Sequence, residues 1–497
     1  MVNAIKRAII VILGVILQFG FHILIQLYFH NNITIIGIIY DILSILIVLK
    51  LLKDSTNLSN DLPWIMLILV FPIFGTILLL TLGGSYAKNK LLKNIYNTEN
   101  EYQKYLKQDN DITKQINDNY LDNLKYLNNY ARFPASTNND VKYYNFGQDF
   151  YPSLLKELKS AEKFIFMEYF IINNGIMLEN ILDILKEKAS LGVDVRIIYD
   201  DMGSIAMLST NYPKQLSTYG IKCIPFNKVS PFKGIRDHRK MTIIDGKVAF
   251  SGGVNISDEY ININSKLGVW KDNGIKIEGD AVFNFTVMFC SLWNANIKED
   301  EDLLKFKYDF SNKKCNNGYV LPYGISPIYK PFVAEDVYIN IINSAKKYVY
   351  IMTPYLIIDT DMQNTLVRAA KRGVDVKIIV PGVPDKKIVY TQTSSFFPYL
   401  TKNGVKICKY NDGFVHSKVF VSDDTKAVVG TINMDYRSLY LHFENAIYME
   451  NVKEIKNIKK DVLDTLDNCT ILTNKNVKVG FFKGIWQSIL RLFAPLF

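Results

Sequence analysis

The chain of 497 residues has room for two or more domains and a large core. Its mean hydropathy of +0.05 and 49% apolar residues point to a membrane protein or an unusually apolar globule, and its net charge of +10 to an anionic partner, either nucleic acid or anionic lipid. The scattered cysteines Cys223, Cys290, Cys315, Cys408 and Cys469 form no Cys-x-x-Cys pair and argue against a disulfide framework.

Three apolar runs open the chain, at residues 8–28, 33–52 and 64–82. Each is near the roughly 20 residues that a helix needs to cross a bilayer. Lys6-Arg7 suits the start of a signal peptide, but no small-residue cleavage site follows. Residues 1–86 are therefore expected to be a retained anchor of two or three transmembrane helices, making the protein multi-pass in the cell membrane. Asp41 is the costly feature, since a carboxylate in lipid needs a hairpin or a partner. Residues 87–140, rich in Asn, Lys and Asp, read as a polar juxtamembrane linker with helical stretches such as 101–106.

Residues 141–315 and 316–475 read as two halves, because the chain repeats itself. The strand Phe164-Ile165-Phe166-Met167-Glu168-Tyr169, after helical spacing at 150–158, is echoed by Tyr348-Val349-Tyr350-Ile351-Met352. Gly192-Val193-Asp194-Val195 matches Gly373-Val374-Asp375-Val376. His238-Arg239-Lys240, followed after four residues by Asp245, matches His416-Ser417-Lys418 followed by Asp423. Each half thus reads strand, helix, strand and hairpin, an α/β unit with a mainly parallel sheet. Two such halves can pack about a pseudo-two-fold with one shared cleft.

Alternation along a strand points His238 and Lys240 the same way, and likewise His416 and Lys418. Asp245-Gly246 is a two-residue hairpin signal. The return strands lead to Gly252-Gly253-Val254-Asn255 and Gly430-Thr431-Ile432-Asn433. Imidazole, ammonium and amide converge, as a site that grips and transfers a phosphoryl group requires. Residues 280–314 read as a connection with a solvated charged run at 298–302, and the loop 382–392 as substrate-facing because it follows a strand end.

The duplicated His-x-Lys-x4-Asp pattern resembles the signature of the phospholipase D superfamily. Met167-Glu168-Tyr169-Phe170, Asp258-Glu259-Tyr260, Trp270-Lys271-Asp272, the run from Gly430 to Ser438 and Phe443-Glu444 resemble its bacterial cardiolipin synthase branch. Two positions depart from it. Gly252-Gly253 and Gly430-Thr431 stand where Gly-Ser is common, so either Thr431 alone supplies a hydroxyl to phosphate or that contact is dispensable. His442 stands where an Asn is expected, and no role is assigned to it.

The resemblance implies a two-step phosphodiester exchange. One of His238 and His416 attacks phosphorus to form a phosphohistidine; the other protonates the leaving alcohol and then deprotonates the incoming one. Lys240, Lys418, Asn255, Asn433 and Thr431 are expected on the phosphate oxygens, with Glu168 and Tyr169 near the site. A carboxylate should orient each imidazole: by resemblance Glu444 for His416, and Glu259 or Asp272 for His238. Asp245 and Asp423 belong to the catalytic signature, but their place in the turn predicts a structural role. No metal or cofactor is expected, because the histidines form no ligand cluster in the sequence and two lysines supply positive charge.

Residues 476–497 are amphipathic, with Lys483, Gln487 and Arg491 as a polar stripe amid Phe481, Phe482, Ile485, Trp486 and Ile489. A membrane-interface helix is expected; a helix docked on the core is the other reading. The function these features imply is cardiolipin synthesis from two phosphatidylglycerols, by a membrane-embedded enzyme acting among anionic phospholipids and not on nucleic acid. Phospholipase D hydrolysis or transfer to another alcohol is the runner-up, a membrane-anchored nuclease the third reading, and a scaffold would require both motifs to be vestigial.

Overall fold

A computed structural model describes residues 33–492, apart from 55–57, 83–89, 120, 227–234, 312–315 and 329–330, together with residue 494. The apolar run 8–28 lies outside them.

In the first half, β1 (Ser136–Tyr144), β2 (Phe164–Tyr169), β3 (Asp194–Asp200), β4 (Lys222–Phe226), β5 (Lys240–Ile244), β6 (Val248–Gly252) and β7 (Gly274–Gly279) lie in the order β1-β7-β6-β5-β2-β3-β4. The second half repeats this with β8 (Asn316–Ile325), β9 (Tyr348–Met352), β10 (Asp375–Val380), β11 (Lys406–Tyr410), β12 (Val419–Ser422), β13 (Lys426–Gly430) and β14 (His442–Glu450). Their order is β8-β14-β13-β12-β9-β10-β11, and β15 (Cys469–Ile471) is added at the edge. β1 and β8 pair antiparallel, Ser136 opposite Val320, and fuse both halves into one sheet. Read outward from that seam, the strand order is the same in both directions. This is the pseudo-two-fold expected from the repeat.

The sheet is mixed rather than mainly parallel. Only β2-β3-β4 and β9-β10-β11 are parallel, while β5, β6, β7 and β1 pair antiparallel. The hairpins impose this. Their loops, 245–247 and 423–425, are three residues each, one more than expected for Asp245-Gly246, and loops so short can join only antiparallel strands. Asp245 and Gly246 have φ of 55° and 66°, and Asp423 and Asp424 of 51° and 63°. Both turns therefore have the primed geometry that suits the twist of their strands.

Both faces of the sheet are covered, so β2 and β5 are buried at every position and carry near-continuous apolar runs. Helix α1 (Lys90–Tyr102) and helix α2 (Val282–Ile297) lie together on one face, where the Asn294 Nδ2 donates to the Tyr102 hydroxyl at 2.7 Å. Two expectations change here. Residues 87–140 are not simply a solvated linker, because α1 buries Leu92, Ile95 and Tyr102 and β1 begins at Ser136. Residues 280–314 are not mere connection, because α2 is apolar nearly all round and buried along most of its length. Within the charged run that follows, Glu301 turns back to Arg196 at 2.6 Å.

The run 33–52 forms a helix, Ile33–Asp54, with Ile42, Leu43, Leu46 and Leu49 exposed. The run 64–82 is not one span. It is two helices, Leu58–Val70 and Pro72–Leu82, folded against each other at Phe71. Pro72 has no N–H to continue the ladder, and Gly75 lets the backbones meet, since a Cβ there would lie 2.8 Å from the Ile68 Cα. Among the described residues no helix is long and apolar enough to cross a membrane.

The terminal helix Phe481–Leu492 docks through Gln487, Leu490 and Arg491, with Lys483 of the polar stripe left exposed. Gln487 Nε2 donates to the Thr391 carbonyl at 3.2 Å and to Ser394 Oγ at 3.1 Å, and the Arg491 guanidinium stacks 4.3 Å over Phe396. Phe481, Phe482, Ile485, Trp486 and Ile489 face outward and are exposed.

Candidate active site

Each His-Lys motif is held by a strand of the opposite half. Arg236–Asp237 pairs parallel with the start of β14, Arg236 opposite His442, and the His238 N–H donates to the Phe443 carbonyl at 2.8 Å. Symmetrically, Gly413–Val415 pairs parallel with Val269–Lys271, and the His416 N–H donates to the Lys271 carbonyl at 2.7 Å. The next residue on each clamping strand is an acid. His238 Nδ1 therefore meets Glu444 Oε2 at 2.8 Å, and His416 Nδ1 meets Asp272 Oδ2 at 2.6 Å.

The orienting carboxylates thus cross between halves. The expected pairing, Glu444 with His416 and Asp272 or Glu259 with His238, is reversed for Glu444 and Asp272 and fails for Glu259. That residue instead accepts from Ser257 Oγ at 2.5 Å on its own turn. Nearness in sequence misled, because a strand that clamps a neighbouring motif presents its acids to the neighbour.

With Nδ1–H held by a carboxylate, each ring offers Nε2 for chemistry. Burial, with Lys418 adding to it, holds His416 down at about 4 against the pull of Asp272. Burial and Lys240 hold His238 well below the ordinary imidazole value. Burial also lowers Lys240 to about 8 and Lys418 to about 7, although Glu444 and Asp272 oppose it. The Lys240 Nζ donates to the His238 carbonyl at 2.8 Å, and Lys418 likewise caps the His416 carbonyl. The acids differ. Burial pushes Glu444 well up, Lys240 opposing, whereas at Asp272 the effect of burial is outweighed by His416 and Lys418, which hold it below its usual value. Two buried imidazoles over two buried lysines, with Glu444 pushed toward its neutral form, make a site that suits an incoming phosphodiester anion.

The other expected residues divide. Asp245 accepts the N–H groups of Glu162, Lys163 and Phe164 at 2.7–2.8 Å, and Asp423 those of Lys346, Lys347 and Tyr348 at 2.7–3.0 Å. Both tie hairpin turns to the strand beside them and stand apart from the chemistry. Asn255 does not present a free amide: its Oδ1 accepts from the Ile171 N–H and its Nδ2 donates to the Tyr260 hydroxyl. The Asn433 side chain bonds Asp435, and its buried Oδ1 has no hydrogen-bond partner. Thr431 Oγ1 donates to Glu444 Oε2 at 2.5 Å, so its hydroxyl supports the orienting acid rather than a phosphate. Glu168 lies beneath the site against Arg239 at 3.5 Å, and the Tyr169 hydroxyl is bound to Thr242 Oγ1.

Aromatic walls carry no role in the sequence reading. Phe170 lies 4.8 Å from the His238 ring and under Lys240 Nζ at 5.5 Å; Tyr260 and Trp270 lie 5.3 and 5.6 Å from His416. Period-two alternation was the available signal for Trp270, two residues before Asp272 on the same face. Among the described residues one trio, His238, His442 and Glu444, brings three donor atoms within 4.8 Å, although the sequence showed no such cluster. Lys240 beside it opposes a cation, and Glu444 Oε2 already accepts two hydrogen bonds.

A family described as cardiolipin synthase, PLD-like domain, matches residues 154–293 and 338–465. The chain belongs to this family. It is 32% identical over 483 residues to a cardiolipin synthase of Alkalihalophilus pseudofirmus, covering 93% of each chain. It is 42% identical over 457 residues to an uncharacterized protein of Streptococcus mutans, covering 90% of this chain and 99% of that one. The crystal structure of Haemophilus influenzae phosphatidylserine synthase shares the fold, with a TM-score of 0.58 at 14% identity over 75% of this chain and 97% of that one.

Within this cardiolipin synthase-family site, the departures from Gly-Ser have a steric cause. A Cβ at Gly253 would overlap the Asp272 carboxylate, so only glycine leaves that acid free to hold His416. Its counterpart Thr431 has room for a side chain and uses it to hold Glu444.

Proposed function

We infer that this protein is a phosphatidyltransferase that makes cardiolipin and glycerol from two phosphatidylglycerols. The carrying observation is the pair of buried imidazoles, each aligned through Nδ1 by an acid of the other half, above two lysines. One Nε2 attacks the phosphorus of the donor lipid, and the bond to the glycerol oxygen breaks as the other imidazole, which takes up a proton on Nε2 when the anionic phosphodiester binds, passes that proton to the leaving oxygen. The second imidazole, now neutral, takes the proton of the acceptor hydroxyl. The acceptor oxygen bonds to phosphorus, the P–N bond breaks, and the first histidine is regenerated. Lys240 and Lys418 hold the charge on the equatorial oxygens, and the aligned carboxylates stabilise the imidazolium formed at each step. Burial limits water, which competes with the acceptor alcohol.

A place at the membrane surface completes this reading. It is supported by the N-terminal apolar runs, the exposed leucines and isoleucines of Ile33–Asp54, and the outward aromatic face of Phe481–Leu492. A helix that docks through two polar residues and Leu490 while exposing five large apolar side chains is unlike a water-facing terminal helix.

The test uses purified protein in detergent micelles with phosphatidylglycerol and EDTA, with products read by mass spectrometry. Cardiolipin and glycerol are expected from the wild type and neither from His238→Ala or His416→Ala. Phosphatidic acid as the only product would refute the transferase reading, and loss of turnover in EDTA would refute metal independence.

A further inference from the structure

His442 is the one departure within the motifs that the chemistry above leaves unused. Its ring sits 5.7 Å from the ring of His238 and is 8% exposed. Neither nitrogen has a hydrogen-bond partner, and Nδ1 lies 3.6 Å from Glu444 Oε1, itself unpartnered and beyond hydrogen-bond length. A buried polar group in this condition costs stability until a partner satisfies it.

Three further observations converge on this ring. His442 lines a pocket whose wall mixes apolar side chains, Met288, Ile325 and Leu439, with the charged Glu99, Arg132 and Arg239. Apart from Glu444, which burial pushes toward its neutral form, the charges that act on the ring are positive: Arg437, Arg236 and Lys240, with Arg236 its direct partner across the parallel strands. The pseudo-two-fold counterpart of His442 is Trp270, which packs on His416 as His442 packs on His238. An indole can only donate, whereas an imidazole can donate and accept. The two flanks of the phosphoryl site are therefore chemically unlike.

A synthase handles two phosphates: the one transferred and the one already carried by the acceptor lipid. We propose that His442, with Arg236 and Arg437 beside it, is the subsite for the phosphate-bearing glycerol headgroup of the acceptor phospholipid, which enters through the pocket that His442 lines. This rests on the synthase reading. The ring hydrogen-bonds the headgroup, holding one glycerol hydroxyl toward the phosphohistidine. The proton balance is unchanged, because the deprotonating base is still His238 or His416. The cationic surroundings fit an anionic lipid and disfavour a neutral polyol alone, which ties acceptor choice to the second phosphate.

The test is a competition in one tube. Wild type, His442→Phe and Arg437→Gln act on phosphatidylglycerol in the presence of deuterated glycerol. Transfer to the lipid acceptor gives cardiolipin, and transfer to free glycerol gives deuterated phosphatidylglycerol. Phosphohistidine trapped by denaturant at alkaline pH, where the P–N bond survives, counts the competent sites in each preparation, so misfolding is normalised out. Both variants are expected to lower the ratio of cardiolipin to deuterated phosphatidylglycerol at least tenfold. A ratio that stays at the wild-type value, whether both products fall together or neither falls, overturns the proposal and leaves the synthase reading standing. Wild-type protein that releases only phosphatidic acid refutes the synthase reading itself and the subsite with it, and is a separate result.

Discussion

The crossing of the carboxylates makes a prediction that neither family membership nor sequence spacing makes. Asp272→Asn removes the charge facing His416 Nδ1 at 2.6 Å in a buried site while keeping an acceptor in place. A hydrogen bond to a charged group contributes about 1.5–3 kcal/mol. A double-mutant cycle on stability should therefore give a coupling of about 2 kcal/mol between Asp272→Asn and His416→Ala, and close to zero between Asp272→Asn and His238→Ala. Glu444→Gln should show the converse, coupling to His238→Ala alone. The unfolding midpoint of detergent-solubilised protein, compared across both cycles, supplies the numbers. In turnover, Asp272→Asn should lose about 10²- to 10⁴-fold, because the imidazolium formed at each proton transfer loses its counter-charge. Its sign is fixed: Asp272 raises the basicity of His416, so its removal makes His416 a weaker base still. Coupling of Asp272 with His238, or of Glu444 with His416, would refute the crossed arrangement.

The remaining predictions concern the lysines, the turns and the terminal helix. Lys418 has a folded value of about 7 against 10.5 unfolded, so the unfolded chain binds more protons between these pH values. Its cost to the fold is full below about pH 7 and fades as pH rises toward 10.5. Lys418→Met should therefore abolish transfer and raise stability by about 1–4 kcal/mol, measured by thermal unfolding at pH 7. For the same reason kcat/KM should fall as pH rises past the values of about 7 and 8 for Lys418 and Lys240, as the free site loses its grip on the anion. Asp245→Ala and Asp423→Ala, which each strip three N–H groups of an acceptor, should cost about 1–3 kcal/mol of stability yet leave turnover per phosphohistidine site near wild type. Exchange of Phe481 and Phe482 for serine should weaken flotation with anionic vesicles while leaving activity on a dispersed short-chain substrate intact, because both side chains face away from the body.

The repeat, the hairpins and the two His-Lys pairs were legible because each rests on local chemistry. Alternation placed His and Lys on one face, and Asp-Gly named a turn whose φ values the structure matches. What the sequence concealed was non-local. Which acid meets which histidine depends on two parallel bridges between residues about 200 positions apart or more than 140 apart, and no spacing rule reaches across them. The buried helix Val282–Ile297 was hidden because an apolar helix without a polar face has no 3.6-residue contrast to detect. The fold-back at Phe71 was signalled by Pro72 and Gly75, but both are tolerated in membrane helices, so composition alone did not separate a span from a hairpin.

The crossed acids also explain why the two halves occur in one chain. A single half carries a His-Lys pair whose histidine lacks an orienting acid, and an acid that orients no histidine of its own. Two identical halves about a true two-fold would satisfy each other, as an isologous dimer does. Such a dimer has identical flanks, so nothing in it distinguishes the lipid that gives up its headgroup from the lipid that receives the phosphatidyl group. Joining the halves lets symmetric positions diverge. Gly253 and Thr431, Asp272 and Glu444, and Trp270 and His442 are three such pairs, all against the orienting acids or their histidines. One acid is held below its usual value and its equivalent pushed well above, although both sit in the same fold. A reaction that consumes two copies of one lipid in different roles needs a site whose two sides are unlike, and in this chain the unlikeness lies within a few ångströms of the histidines.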